Sequence, residues 1–305
     1  MRFNKLDLNL LVALDAMLDE RNISRAAARM YMSQSAMSNA LARLRLYFED
    51  ELLVQVGRRM ELTPRAEGLK DIVRDVLVRV DAGILTSPSF DFTHSERVFS
   101  MSVSDFTLQT LMPYVTALAS RQAPGVRLDL LPQFDVPERA LERGEVDLLV
   151  IPEPYCSPSH PTELLFEEDL SCVVWSGGRL AGAPLTIDDF KSAGHVVVVL
   201  HGEQAFDPVL VEKYGIVRRV EATTFHFASA SSLVVETDRI ATVHASLARQ
   251  AAKFLPVTVH PFPLAMPRMR QTAQWHKYRS YDPGLQWLRG LLHEAAGRMA
   301  TNPII

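Results

Sequence analysis

Residues 23–48 read ISRAAARMYMSQSAMSNALARLRLYF. Ser24 and Ser33 each stand just before a helical pattern, where a side-chain oxygen can accept from the orphan N–H groups of a first turn. Two short helices joined by a tight turn are therefore expected. In the second, Met37, Leu41, Leu44 and Phe48 recur at i, i+4, i+7 and i+11 and gather into one apolar stripe. The opposite side carries Gln34, Ser35, Ser38, Asn39 and Ala42, with Arg43 and Arg45 toward the flank. That face suits a DNA major groove, because Gln and Asn pair with adenine edges, Ser is small, and Arg reaches guanine or phosphate. The first helix carries Ala26, Ala27 and Ala28, which let a neighbouring helix approach its backbone, as in a helix-turn-helix. Taken alone, the stretch also fits an ordinary surface helix.

The adjoining residues favour the DNA reading. Residues 49–69, EDELLVQVGRRMELTPRAEGL, hold two short apolar runs, 52–56 and 60–62, bracketing Gly57, Arg58 and Arg59. Two strands with that tip make a wing whose arginines can meet the DNA backbone or a minor groove. Thr63 then offers a cap, and Pro64 a first helical residue whose missing N–H is not needed. Along the helix it opens, Leu69, Val73, Val76 and Val80 fall at i, i+4, i+7 and i+11. Nothing in so small a domain covers a seam of that length, whereas a second copy of the helix does, which makes these four residues a candidate dimerisation stripe. Packing inside the same chain is the alternative.

Composition sets bounds on these readings. With 305 residues, 48% apolar and 22% charged, the chain is long enough for two or three compact units. Its formal net charge is −4, and residues 1–64 hold nine Lys or Arg against eight Asp or Glu, a net of +1. DNA binding must therefore depend on where a few arginines point. Asp7, Asp15, Asp19 and Glu20 interrupt the first apolar pattern, which excludes a signal-peptide core, and the longest apolar run, 196–200, is too short for a bilayer. A cytoplasmic protein without membrane partners is expected. Cys156 and Cys172 form neither a disulfide framework nor a metal-ligand spacing, so no metal or cofactor is expected. A thiol switch at these two cysteines is the sharper alternative.

Beyond residue 95 the pattern alternates. Residues 98–103, 126–131 and 146–151 read as strands, with helices at 106–121 and 137–143 between them, a βαβαβ unit with a parallel sheet. Strands at 170–175, 195–200 and 239–243, with helices near 187, 208–214, 229–236 and 245–254, form a second set. A strand at 268–276 and a helix at 282–299 return to the first. The fold class is thus multi-domain α/β. A winged helix-turn-helix at 1–63 is followed by a linker helix at 64–86 and a hinge at 87–95. Effector lobe I takes 96–168 and 266–305, and lobe II takes 169–265.

In such sheets ligands sit beyond the carboxyl ends of the strands. That rule selects Ser102, Ser104 and Asp105, then Phe134, Pro152, His201, Gly202 and Phe206, then Phe225 and His226, and Gln274 on the returning strand. Aromatic faces, histidines and oxygen atoms together suit a small planar acid or phenol. No Gly-x-Ser-x-Gly, Gly-x-Gly-x-x-Gly, phosphate loop or His-Glu-x-x-His occurs, so an α/β enzyme fused to a helix-turn-helix is the remote alternative.

The Ala-rich helix, SQSAMSNALARLR, the basic wing and TPRAEGL together resemble the N-terminal domain of LysR-type transcriptional regulators. Within that family LDLNLLVALDAML, SERVFSMSVSD and WHKYRSYDPGLQWLR resemble the branch of nodulation regulators and of regulators responding to salicylate and other aromatics. The resemblance implies a dimer or tetramer on double-stranded promoter DNA, RNA polymerase as a further partner, and a small aromatic effector between two lobes similar to periplasmic solute-binding proteins.

Overall fold

The structure, a computed structural model, describes residues 7–57, 59–81, 89–200 and 202–301. The chain forms two compact units. The N-terminal one runs α1 (Leu8–Glu20), α2 (Ile23–Arg29), α3 (Gln34–Phe48), β1 (Leu53–Val56), β2 (Arg59–Leu62) and α4 (Pro64–Val80). Ser33 caps α3 by accepting from the Ala36 N–H at 3.2 Å, and Thr63 caps α4 directly before Pro64. The cap of α2 is Asn22, which accepts from the Arg25 N–H at 2.9 Å; the expected cap, Ser24, lies inside the first turn. Met37, Leu41 and Leu44 are buried with Leu14, Met17 and Leu18 of α1 and with Ala26 and Ala27 of α2.

Burial also revises the α4 stripe. Val73 lies in this unit's own core, and Leu69 and Val76 pack partly against it. The apolar side chain of α4 left outside is Ile72, at 61% exposure. Asp15 and Asp19 of α1 face the same helix: Arg74 pairs with Asp15 at 2.9 Å and Asp19 at 2.5 Å, Lys70 reaches Asp19 at 3.0 Å, and Arg29 of α2 reaches it at 3.2 Å. Burial pushes the Asp15 carboxyl up, with Arg74 opposing it. For Asp19 burial acts in the same direction, but Lys70, Arg74 and Arg29 outweigh it and hold the carboxyl below its ordinary value.

The C-terminal unit begins with β3 (Val98–Val103), α5 (Asp105–Thr110), α6 (Met112–Gln122), β4 (Arg127–Leu131), α7 (Pro137–Glu142), β5 (Leu148–Pro152) and β6 (Thr162–Glu168). Next come β7 (Leu170–Trp175), α8 (Ile187–Ser192), β8 (Gly194–Leu200), β9 (Glu203–Gln204), α9 (Asp207–Tyr214), β10 (Arg219–Thr224), α10 (Phe227–Ala230), β11 (Arg239–His244), α11 (Ala245–Phe254) and β12 (Val257–Pro261). The chain ends with β13 (Met269–Trp275) and α12 (Pro283–Thr301). One sheet has the order β4-β3-β5-β13-β6 and the other β10-β8-β11-β7-β12, with β9 attached to β8. We call the layers around them lobe I and lobe II.

The βαβαβ strands β3, β4 and β5 pair in parallel as expected, and each complete sheet is mixed: β13 runs antiparallel to β5 and β6, and β7 antiparallel to β11 and β12. The helix expected over 106–121 breaks at Leu111, because Pro113 has no N–H to continue the ladder and opens α6 instead. Lobe I buries Phe99, Met101, Leu148, Val150 and Trp275 under α6 and α12. Its closing device is Arg97, which donates to both Asp282 oxygens at 2.8 and 2.6 Å, while the same carboxylate accepts from the Gly284 and Leu285 N–H groups that open α12.

Burial of Asp282 raises its carboxyl pKa, but Arg97 and the backbone N–H outweigh it, so the folded value lies below the ordinary 3.8. A depressed carboxyl stabilises the fold above its unfolded value, and the contribution is lost as pH falls through the folded one. Asp282→Ala should cost about 2–3 kcal/mol in urea unfolding at pH 7. The gap to wild type should narrow as the pH is lowered below the ordinary carboxyl value, and a constant gap would show that the charge is not responsible.

Candidate DNA-reading face and interlobe contacts

Because Met37, Ala40, Leu41 and Leu44 are buried, α3 must present its other side outward. Gln34, Ser35, Ser38, Asn39, Ala42 and Arg43 are all exposed. Among the described residues Ser35 meets only the neighbouring Ser33 hydroxyl, at 3.0 Å. The polar ends of this face are thus available to another molecule, and their spacing over two turns matches a run of base edges.

Arg45 behaves differently. Its guanidinium donates to the carbonyls of Glu51 and Leu53 at 2.9 and 2.8 Å and pairs with the Glu51 carboxylate at 3.1 Å. It is a clamp that fixes the start of the wing, because three acceptors hold the fork that phosphate would need. The wing is the β1–β2 hairpin, with Val56 opposite Arg59 and Gly57 at φ +63° in the turn. Arg59 is exposed beside that turn, and Arg58 lies outside the described residues.

In the C-terminal unit, β3 of lobe I delivers α5 into lobe II. Ser104 caps α5 by accepting from the Thr107 N–H at 3.2 Å. The Asp105 carboxylate accepts from the Ala228 N–H of α10 at 2.9 Å. Next to it Phe106, 1% exposed, stacks on His244 with ring centroids 4.0 Å apart. Phe227 and Phe206 approach the same imidazole at 4.7 and 5.8 Å. Burial alone takes the His244 pKa down to about 3, so the ring is neutral at the centre of this aromatic group. Phe206 sits in the left-handed region at φ +71°, a conformation costing a bulky side chain about 1–2 kcal/mol, so packing must hold it there. A second link runs the same way: Glu168, the last residue of β6, accepts from the Ser246 N–H in the first turn of α11 at 2.8 Å.

The strand-end candidates therefore divide. Asp105 and Phe206 come together with Phe106, Phe227 and His244. Ser102 is buried and donates to the Pro132 carbonyl, and Gln274 is buried and bonded inside lobe I to Ser157 and His160. Phe134 packs on the other face of that lobe, under α7. Pro152 is partly exposed at the end of β5, Gly202 and His226 are exposed, and Phe225 is 72% exposed. His201 lies outside the described residues. A residue the strand-end rule misses is Gln271, whose amide N donates to Thr107 of α5 at 3.1 Å and to the Val150 carbonyl at 3.0 Å. A cavity of about 430 Å³, lined among others by Thr110, Tyr114, Phe166, Glu168 and Arg249, contains none of the strand-end candidates. The thiols of Cys156 and Cys172 are free, and burial pushes both up, away from the thiolate a redox switch needs.

Comparison with known proteins gives this geometry its context. Residues 8–67 match the model of the bacterial regulatory helix-turn-helix protein, lysR family, and residues 92–297 match the LysR substrate binding domain. The chain belongs to the LysR family. It is 39% identical over 302 residues to nodulation protein D 1 of Rhizobium tropici, covering 98% of each chain. With nodulation protein D 2 of Bradyrhizobium diazoefficiens it shares 40% over 304 residues, covering 99% of this chain and 92% of the relative. Among solved structures, a probable transcriptional regulator from Pseudomonas aeruginosa superposes with a TM-score of 0.67 at 29% identity, covering 96% and 98% of the two chains. Full-length CbnR complexed with its target DNA superposes with a TM-score of 0.60 at 16% identity over 96% of this chain and all of that one, a likeness of fold. This LysR-type chain is a DNA-binding transcriptional regulator with an effector-binding domain, not an enzyme. No described helix is long and apolar enough to cross a membrane.

If the α3 face reads bases, replacing Ser38, Asn39 and Arg43 together by Ala should leave the circular dichroism spectrum and melting temperature unchanged. Affinity for the cognate site should fall by at least about 100-fold, at roughly 1–3 kcal/mol per lost base contact. Fluorescence anisotropy on specific and scrambled duplexes separates the two, and unchanged discrimination between them would contradict the assignment.

Proposed function

We propose that this regulator acts in the cytoplasm as a homodimer or tetramer on an inverted-repeat promoter site, and that a small aromatic effector bound between lobes I and II governs its contact with RNA polymerase. Gln34, Ser35, Ser38, Asn39 and Arg43 supply base contacts in this reading, and Arg59 a backbone contact. Ile72 with Val76 and Val80 supplies the helix-pairing seam on α4. The observation carrying the effector reading is the aromatic group of Phe106, Phe206, Phe227 and His244, flanked by the Asp105–Ala228 bond. Flat apolar faces with a few fixed polar groups at an interlobe boundary are the chemistry that holds a planar aromatic acid or phenol. Resemblance to the aromatic-responsive branch points the same way.

An effector can shift the lobes only by favouring one arrangement over another. A thermal-shift screen of aromatic acids, phenols and flavonoids against sugars and amino acids should raise the melting temperature with one aromatic class only, since ligand at 100 times its Kd contributes about 2.7 kcal/mol. The shift should shrink in Phe206→Ala. Stabilisation by sugars or amino acids with indifference to every aromatic would overturn the proposal.

A further inference from the structure

Helix α2 ends in a turn closed by two backbone bonds. The Tyr31 N–H donates to the Ala28 carbonyl at 3.1 Å, and the Met32 N–H to the Ala27 carbonyl at 2.9 Å. Such a closure places a left-handed residue just past the helix, and Tyr31 occupies that position at φ +52°. Glycine takes it freely, whereas the Cβ of any other residue crowds the following carbonyl oxygen. Leu52 and Phe206 share the conformation, but packing holds them: Leu52 is wholly buried, and Phe206 lies against Phe227 and His244. Tyr31 is 100% exposed, and among the described residues its ring and hydroxyl have no partner.

The backbone conformation disfavours a tyrosine and no internal contact offsets it, which points to a contact outside the chain. We propose that Tyr31 is a DNA contact, its phenol hydroxyl donating to a backbone phosphate beside the N-terminal end of α3. Tyr31 stands three residues before Gln34, which is the first residue of α3 and of its exposed polar face. The proposal rests on that face lying in the major groove, an arrangement in which the preceding helix crosses the DNA backbone and carries the turn with it.

The cations on this side of the domain are committed elsewhere. Arg25 of α2 pairs with the Glu20 carboxylate at 3.1 Å, Arg29 with Asp19 at 3.2 Å, and Arg21 before α2 with Glu67 at 2.9 Å. The Ser33 hydroxyl is engaged with the Ala36 N–H and the Ser35 hydroxyl. A phosphate arriving at the turn therefore meets neutral donors, the first N–H groups of α3 and the Tyr31 hydroxyl. A phenol suits this place, because it donates to phosphate oxygen while its ring lies against the neighbouring sugar.

The test compares full-length Tyr31→Phe and Tyr31→Gly with wild type by fluorescence anisotropy on cognate and scrambled duplexes, together with thermal melts. Tyr31→Phe keeps the ring and the backbone angle and loses only the donor. It should melt with wild type and bind both duplexes at least about tenfold more weakly, as expected for one hydrogen bond to a charged acceptor. Tyr31→Gly should lose at least as much affinity while melting at or above wild type, since the left-handed angle then carries no penalty. In both variants the ratio of cognate to scrambled affinity should hold, because phosphate carries no sequence, and the salt dependence should stay that of wild type, because no charge is removed. Wild-type affinity in both variants, or a lowered melting temperature in Tyr31→Gly, would overturn the proposal, and so would loss of discrimination between the duplexes. Failure of the α3 reading gives a different result, unchanged discrimination when Ser38, Asn39 and Arg43 are replaced.

Discussion

Helix α3 can offer a polar face because its other side is wholly committed. Met37, Leu41 and Leu44 fix the rotation of the helix, since turning it by one residue would expose them and bury Ser38 or Asn39 without partners. Losing one such side chain from a packed core costs about 2–5 kcal/mol, against about 1–3 kcal/mol for a single base contact. The face proposed to read DNA is therefore set by the core, before DNA is present. Arg45 extends the same control to the wing by holding the carbonyls of Glu51 and Leu53. Arg43 and Arg59 are left pointing outward, which matters in a chain with a net charge of −4.

The C-terminal unit is governed by a comparable constraint. Phe106 is attached to a strand of lobe I yet buried in the core of lobe II, and Asp105 and Glu168 reach across to helix amides at the same boundary. Separation of the lobes would expose an aromatic ring and leave two carboxylates to exchange protein amides for water. In the proposed function an effector acts by favouring one arrangement of these contacts over another.

Much of this is legible in the residues themselves, and the failures have physical causes. Central strands such as LLVIP at 148–152 and GHVVVVL at 194–200 are covered on both faces and read as apolar runs. TELLFEE at 162–168, RVEATT at 219–224 and VTVHP at 257–261 are not among the expected strands; each lies at a sheet edge and carries polar residues where a central strand has an apolar run. Caps depend on one backbone angle, so Asn22 and Ser24 cannot be told apart from the residues alone. The strand-end rule selects Gln274 over Gln271 because it assumes a parallel strand: β13 runs antiparallel to β5, so Gln271, opposite Pro152, lies at the carboxyl edge of the parallel strands and Gln274, opposite Leu149, does not. His244 escapes the same rule because β11 continues one residue past the expected Val243. The role of Arg45 is beyond sequence, since it depends on where residues 51–53 run.

The most direct measurement is a footprint of the full-length protein over the region upstream of its neighbouring gene, repeated between about 50 and 200 mM salt. Protection of a defined inverted repeat is predicted, with binding that weakens steeply as counterions compete for the phosphates. Binding without sequence preference, or insensitive to salt, would contradict a reading face aimed by the core of the N-terminal domain.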